Sequence, residues 1–168
     1  MQIDKKDYKP EEHDVYKALC VKQPWADMLT VVTYEDRDGY HADKEIELRS
    51  QRINYRGDLL ICSSKKPDDL PGRLAGVTCG FVELYDVKPV EELTDEEWAK
   101  TGFGPESRGN FKGWYGWLMR NPRRVVEMPV KGQLGLFNLI VPKDDITEYP
   151  RAMAFGDDGW KIVKSKIK

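Results

Sequence analysis

Apolar and polar positions alternate with a period of two through most of this chain and switch to helical spacing in only two places. Across residues 44–50, Lys44, Ile46, Leu48 and Ser50 fall on one side of an extended segment, and Glu45, Glu47 and Arg49 on the other. Ile46 and Leu48 then point to a core, and Glu47 and Arg49 stand side by side on the opposite face. Lys44 sits at the strand entrance, where the alternation frays. Residues 16–22 mix apolar positions on both sides, the pattern of a strand buried on two faces. Residues 59–62 predict a short buried strand, and residues 74–87 a long one in which Gly76 and Gly80 allow a bend or a close backbone approach. Within it Glu83 is either on an outer face or paired inside. Residues 114–119 place Trp114, Gly116 and Leu118 against Tyr115, Trp117 and Met119. A basic turn at 120–124 then leads to a strand at 125–130 paired back onto its predecessor, and residues 134–141 form the last core strand.

The helical exceptions are short. Pro24 suits a first turn, and Trp25, Met28, Leu29 and Val32 follow at helical spacing, with Gln23 at the turn itself. Thr94 with Glu97 three residues on is a capping box, opening an acidic helix that packs Trp98. Residues 34–43 and 51–58 read as a loop and a turn, residues 68–73 as irregular, and residues 102–113 as a glycine-rich insertion. Residues 1–14 form a polar, mobile lead-in. Residues 15–141 make up one domain, and residues 142–168 an extension that partly docks and ends in a basic run. About six strands with two short flanking helices define an α+β class, a small mixed barrel.

Composition narrows the possibilities. A chain of 168 residues suits a single domain with its own core. No apolar run approaches the roughly 20 residues of a membrane span, and residues 1–15 lack the apolar centre of a secretory signal, so a cytoplasmic protein is expected. Cys20, Cys62 and Cys79 lie in apolar strand-like runs, which fits reduced, buried thiols. His13 and His41, the only histidines, fall in polar stretches and read as surface residues. No spacing suggests a metal site or a cofactor. The net charge of −2 does not advertise a phosphate binder. Its distribution is more informative, because bases cluster at 49–56, 65–66, 120–124 and 161–168 and leave room for a basic face.

The ordered segments Ala18-Leu19-Cys20-Val21-Lys22-Gln23-Pro24-Trp25-Ala26, Lys44-x-x-Glu47-x-Arg49-Ser50, Tyr55-Arg56-Gly57-x-Leu59-x-Ile61 and Gly80-x-Val82-Glu83-Leu84-x-Asp86 resemble the ASCH family of the PUA-like superfamily. The Gln-Pro-Trp-Ala stretch and the segment from Asn121-Pro122 to Gly132 are most similar to the branch that ends a eukaryotic transcription coactivator. The resemblance spans residues 16–139. It implies a PUA-like pseudo-β-barrel with a cleft beside the first helix, where family members are thought to bind RNA or other nucleic acid. A second branch is enzymatic, with an amidohydrolase of acetylated cytidine and ribonuclease activity in a small bacterial member. This chain departs from that branch. A longer loop ending in Ala42-Asp43 precedes Lys44, and Glu47 stands where the amidohydrolase has its threonine nucleophile. Attack by a carboxylate on an amide would give a mixed anhydride, which argues against amidohydrolysis.

Three functions follow as expectations. The first is single-stranded RNA binding, or binding of a nucleotide-like ligand. Lys22, Lys44, Arg49, Lys65 and Lys66 would meet phosphates with Ser50 nearby, Trp25, Tyr55 or Trp114 would stack a base, and Gln23 would read its edge. Ser63 and Ser64 with Lys65 and Lys66 form a phosphate-holding strand end. The second is metal-independent cleavage of RNA or a nucleoside, with Glu47 as general base and Lys44 or Arg49 stabilising anionic charge. A plain Glu47–Arg49 ion pair is the simpler role for those residues. The third is a protein-interaction domain using the acidic helix and the basic tail.

Overall fold

The computed structural model describes residues 1–66 and 70–150 in full, and the backbone of residues 153–156 and 159–162. Six strands form one curled mixed sheet: β1 (His13–Val21), β4 (Ile46–Arg49), β5 (Gly57–Ser63), β6 (Thr78–Pro89), β7 (Tyr115–Arg124) and β8 (Leu136–Pro142), in the order β4-β7-β6-β5-β1-β8. β1 runs parallel to β5, and every other pairing in this sheet is antiparallel. The sheet curls into a half-barrel, an α+β fold as its strand and helix patterns predict. Two register shifts between β6 and β7 supply curvature, since a bulge bends and twists a strand. Leu19, Val21, Leu59, Ile61, Val82, Leu84, Trp117 and Met119 fill the concave side beneath α1 (Trp25–Thr30).

Gly80 fixes how α1 sits. A Cβ there would lie 2.6 Å from the Arg123 carbonyl oxygen and 2.9 Å from Thr30 Cβ, so only glycine lets the helix and β7 close on β6 at this level. Beneath the helix, Asp27 accepts hydrogen bonds from Arg124 at 2.8 Å and Arg73 at 3.1 Å, and Arg124 also donates to the Thr30 hydroxyl. Asp27 is 2% exposed and Arg124 5%, so this pairing is what makes the burial of both charges tolerable.

Several expectations need correction. The helix ends at Thr30, and Val32 instead opens a hairpin of β2 (Val32–Asp36) and β3 (Gly39–Ala42), which replaces the expected loop. The β-branched start and the Asp38-Gly39 turn, with Gly39 at φ +118°, account for it. His41 is no surface residue. It stacks on Tyr34 at 4.6 Å and bridges Asp36 and Glu45. β7 runs straight through the expected basic turn, with Asn121 at φ +59° absorbing an irregularity. Its arginines pair across the sheet, Arg120 with Glu83 and Arg123 with Asp58. No strand covers 125–130, where Val125 and Pro129 make only isolated bridges. The N-terminal residues are tied down, since Ile3 N–H donates to the Ile140 carbonyl at 2.8 Å and Gln2 exchanges hydrogen bonds with Lys131.

The capping box at Thr94 and Glu97 is present and opens α2 (Asp95–Trp98). Short 3₁₀ turns at Ala99–Thr101 and Pro105–Phe111 organise the glycine-rich insertion. Two further strands, β9 (Met153–Gly156) and β10 (Gly159–Ile162), pair with each other. Of the expected basic end at 161–168, residues 163–168 lie outside the described residues.

Candidate functional site

The site is built on β4, the edge strand beside β7. Ile46 and Leu48 anchor it by packing into a cluster with Val90, Leu93, Trp98 and Leu118. The opposite face carries Glu47 and Arg49, as alternation requires. Lys44 breaks that alternation. The chain is not extended strand at 43–45, and the ammonium turns to the Glu47 side, where Nζ lies 3.5 Å from Glu47 Oε1 and donates to the Thr101 carbonyl. Lys44 is 1% exposed, the bulkiest of the fully buried side chains, with Trp25 and Phe103 rings 5.2 and 5.7 Å from its nitrogen. Burial pulls its pKa below the ordinary lysine value, and the Glu47 carboxylate works against that pull.

Glu47 is shared between two cations. Its Oε2 accepts from Arg49 Nε at 3.0 Å, with Arg49 Nη2 at 2.9 Å, while Oε1 faces Lys44. Arg49 Nη2 also reaches across the barrel to the Cys20 carbonyl on β1 at 3.2 Å. The expected ion pair of Glu47 and Arg49 is therefore one link of a three-residue chain.

Around this chain opens a cavity of about 530 Å³. Lys22, Trp25, Lys44, Glu47, Arg49 and Ser50 line it together, as the sequence places them, and Trp114 joins them. The glycine-rich insertion adds Phe103 and Phe111, which sequence reasoning missed. Trp25 and Phe103 rings lie 5.0 Å apart, Phe103 and Phe111 5.1 Å, and Phe111 and Trp114 5.2 Å, a continuous aromatic run. Gly104 accepts a hydrogen bond from the Trp98 indole, which ties this insertion to α2.

Four expected contributors stand outside this cavity. Gln23, 4% exposed, donates to the Leu74 carbonyl and accepts from the Asp27 N–H, so it fixes the turn before α1 and lies buried outside the cavity lining. Tyr55 packs on the core, donates to the Asp58 carbonyl and lines a separate hollow with Lys17 and Arg123. Lys66 is exposed and lines neither the cavity nor its neighbour. Lys65 lines the neighbouring cavity of about 510 Å³ with Ser63 and Ser64.

Cys20 belongs to both cavities. It stands opposite Cys62 in the parallel register of β1 and β5, and its sulfur rests on the backbone at Gly132, where a Cβ would meet it at 2.2 Å. The Cys62 thiol hydrogen-bonds to Cys20, which lowers the Cys20 pKa and raises that of Cys62. All three cysteines are free thiols, with Cys62 and Cys79 buried and Cys20 half-buried.

A comparable arrangement of strands occurs in solved structures. A Ser-to-Ala variant of the ASCH protein from Zymomonas mobilis superposes with a TM-score of 0.50 at 12% identity, over 77% of this chain and 89% of that one. This chain has the ASCH fold. A Tyr-to-Phe variant of the same bacterial protein aligns at 13% identity, over 68% of this chain and 75% of that one, with a TM-score of 0.47. No family model and no curated protein matches the sequence. The likeness to the ASCH structures is thus one of fold.

Proposed function

We propose that this protein binds single-stranded RNA by taking one unpaired nucleotide into the cavity beside α1. What carries the reading is the joint lining of that cavity by the Trp25–Phe103–Phe111–Trp114 run and by the cations Lys22 and Arg49. Aromatic faces accept any base by stacking, and cations beside them meet the phosphate. The volume falls within the roughly 300–1,000 Å³ of small-ligand sites, enough for a base and its ribose. Ser50 and Ser64 at its rim offer hydrogen bonds of the kind a 2′-hydroxyl makes.

The test is anisotropy of a short fluorescent single-stranded RNA at low and moderate salt, with the same samples run on a denaturing gel. Salt-sensitive binding of intact RNA is expected. Trp25→Ala should weaken it by about 1–3 kcal/mol, the range for one stacked base. Lys22→Ala should weaken it and reduce the salt slope by about 1. Absence of binding at low salt, or an unaffected Trp25→Ala protein, would sink the reading.

One observation favours a second reading, metal-independent RNA cleavage at the same place. Lys44 is a desolvated amine of lowered pKa beside a carboxylate, a combination found at acid–base sites. Against it, each Glu47 oxygen already faces a cation, which leaves no free base in the resting site. RNA fragments that form in the presence of chelator, and not with a folded Lys44→Ala or Glu47→Gln protein, would favour the enzyme.

A further inference from the structure

The second cavity has a lining of its own kind. Arg49, Lys65 and Lys131 border it with Ser63 and Ser64, and among the described residues no carboxylate does, although the chain holds more acids than bases. Its cations have donors to spare. Arg49 uses Nε and Nη2 on Glu47 and the Cys20 carbonyl, and its Nη1 has no protein partner among the described residues. The ammonium groups of Lys65 and Lys131 likewise have none, while Lys88, Lys100, Arg73, Arg108, Arg120 and Arg123 are all paired with acids.

The two cavities are neighbours that share a wall. Cys20, Arg49, Ser64 and Leu134 line both, so Arg49 stands at the boundary between them. Leu134 is fully exposed, next to Gly135 at φ +67°, and presents an apolar side chain where the two linings meet. Unpaired cations at a cavity are positioned for an anion, and an exposed apolar group beside them is positioned for a base or sugar.

From this juxtaposition we infer that the second cavity is a phosphate subsite, and that the smallest complete ligand is a phosphodiester-linked dinucleotide. It would place one base in the aromatic cavity, its phosphate against Arg49 and Lys65, and the next nucleoside between Lys131 and Leu134. The inference rests on the nucleotide-binding reading of the first cavity and extends it by one residue of the strand.

NMR titration of the ¹⁵N-labelled full chain tests it, because the two cavities carry separate reporters. The Trp25 and Trp114 indole N–H signals report the first, and the Gly132, Gln133 and Gly135 amides the second. The probes are uridine, the dinucleotide UpU and inorganic phosphate. UpU should shift both sets and bind at least about tenfold tighter than uridine, the increment expected when a phosphate meets a cation cluster. The doubly charge-reversed Lys65→Glu/Lys131→Glu protein should bind UpU no better than uridine, with uridine affinity and the Trp signals unchanged.

Equal affinities for UpU and uridine, with only the indole signals moving, would overturn the second subsite and leave the first-cavity reading standing. If inorganic phosphate shifts the loop amides while UpU gains nothing over uridine, the cavity is a free-anion site and the dinucleotide proposal fails. If no uridine-bearing probe moves the indole signals, the nucleotide reading of the first cavity falls and takes the extension with it.

Discussion

Gly102 lies against the Trp25 ring so closely that a Cβ at position 102 would stand 2.8 Å from Trp25 Cζ3. The same residue adopts φ +87°, a left-handed conformation that disfavours side chains. The indole that lines the cavity is therefore seated by the absence of a side chain in the insertion opposite it. Gly102→Ala should destabilise the fold by about 1–3 kcal/mol from backbone strain and the contact together. It should also weaken RNA binding by displacing the ring. Urea unfolding and anisotropy check the two effects separately.

The chain from Lys44 through Glu47 to Arg49 predicts an asymmetry between two substitutions. Glu47→Gln leaves the Lys44 ammonium buried without a counter-charge, a loss of about 3 kcal/mol. Lys44→Met removes the buried charge along with its partner's attraction and leaves Glu47 paired to Arg49, so the loss should be smaller. Equal destabilisation in denaturant titrations would show that the Lys44–Glu47 contact carries no special weight.

The His41 bridge makes the β2–β3 hairpin sensitive to pH. Burial alone would lower the His41 pKa, but hydrogen bonds to Glu45 and Asp36, and their charges, outweigh it and leave the value raised above 6.5. The Asp36 carboxyl is held below its ordinary 3.8, first by the hydrogen bond from His41. A raised histidine stabilises fully below its unfolded value of 6.5 and loses that contribution as pH rises through the folded value. A depressed carboxyl stabilises above its unfolded value and loses that contribution as pH falls through the folded one. The bridge is thus complete between about pH 4 and about pH 6.5 and weakens on the alkaline side. Amide exchange in residues 32–42 should quicken as pH rises past that window, beyond the intrinsic rate change, and His41→Asn should remove the excess.

Cys20 should be the reactive thiol. Its pKa is lowered first by the hydrogen bond from Cys62, against burial, while burial pushes Cys79 up to about 11 and the hydrogen bond to Cys20, with burial, pushes Cys62 up. Thiolate fraction and access both set alkylation rate. Iodoacetamide at neutral pH should therefore label Cys20 first, read by peptide mass spectrometry, and the added group should obstruct both cavities and weaken RNA binding. Simultaneous labelling of all three cysteines in the native protein would contradict this.

Much of the barrel was legible because strand alternation is a local signal. Ile46 and Leu48 against Glu47 and Arg49, Leu118 against Trp117 and Met119, and the Thr94–Glu97 cap all reflect spacing within a few residues. What failed depended on distant partners. Arg120 and Arg123 looked like a turn beside Asn121-Pro122 because Glu83 and Asp58, which hold them in a strand, lie 37 and 65 residues away. Lys44 reads as an entrance residue because its burial is set by Thr101, in the turn after α2, and by Phe103, on an insertion without periodicity. Phe103, Phe111 and Leu134 joined the site for the same reason, and only the glycines around them hinted at chain passing close to something. Gln23 and Tyr55 stand apart from the cavity for a related reason, since the burial of one and the separate hollow lined by the other are set by residues distant in the chain.

The strand order puts β4 at one end of the sheet and β1 near the other, yet Arg49 on β4 hydrogen-bonds to Cys20 on β1. Where the curled sheet comes round on itself, the Arg49 side chain, among the described residues, makes the join that a ladder of backbone bonds makes between its other strands. The cleft follows this line. A phosphate that reached Arg49 there would compete with one guanidinium–carbonyl contact and leave every strand pairing as it stands.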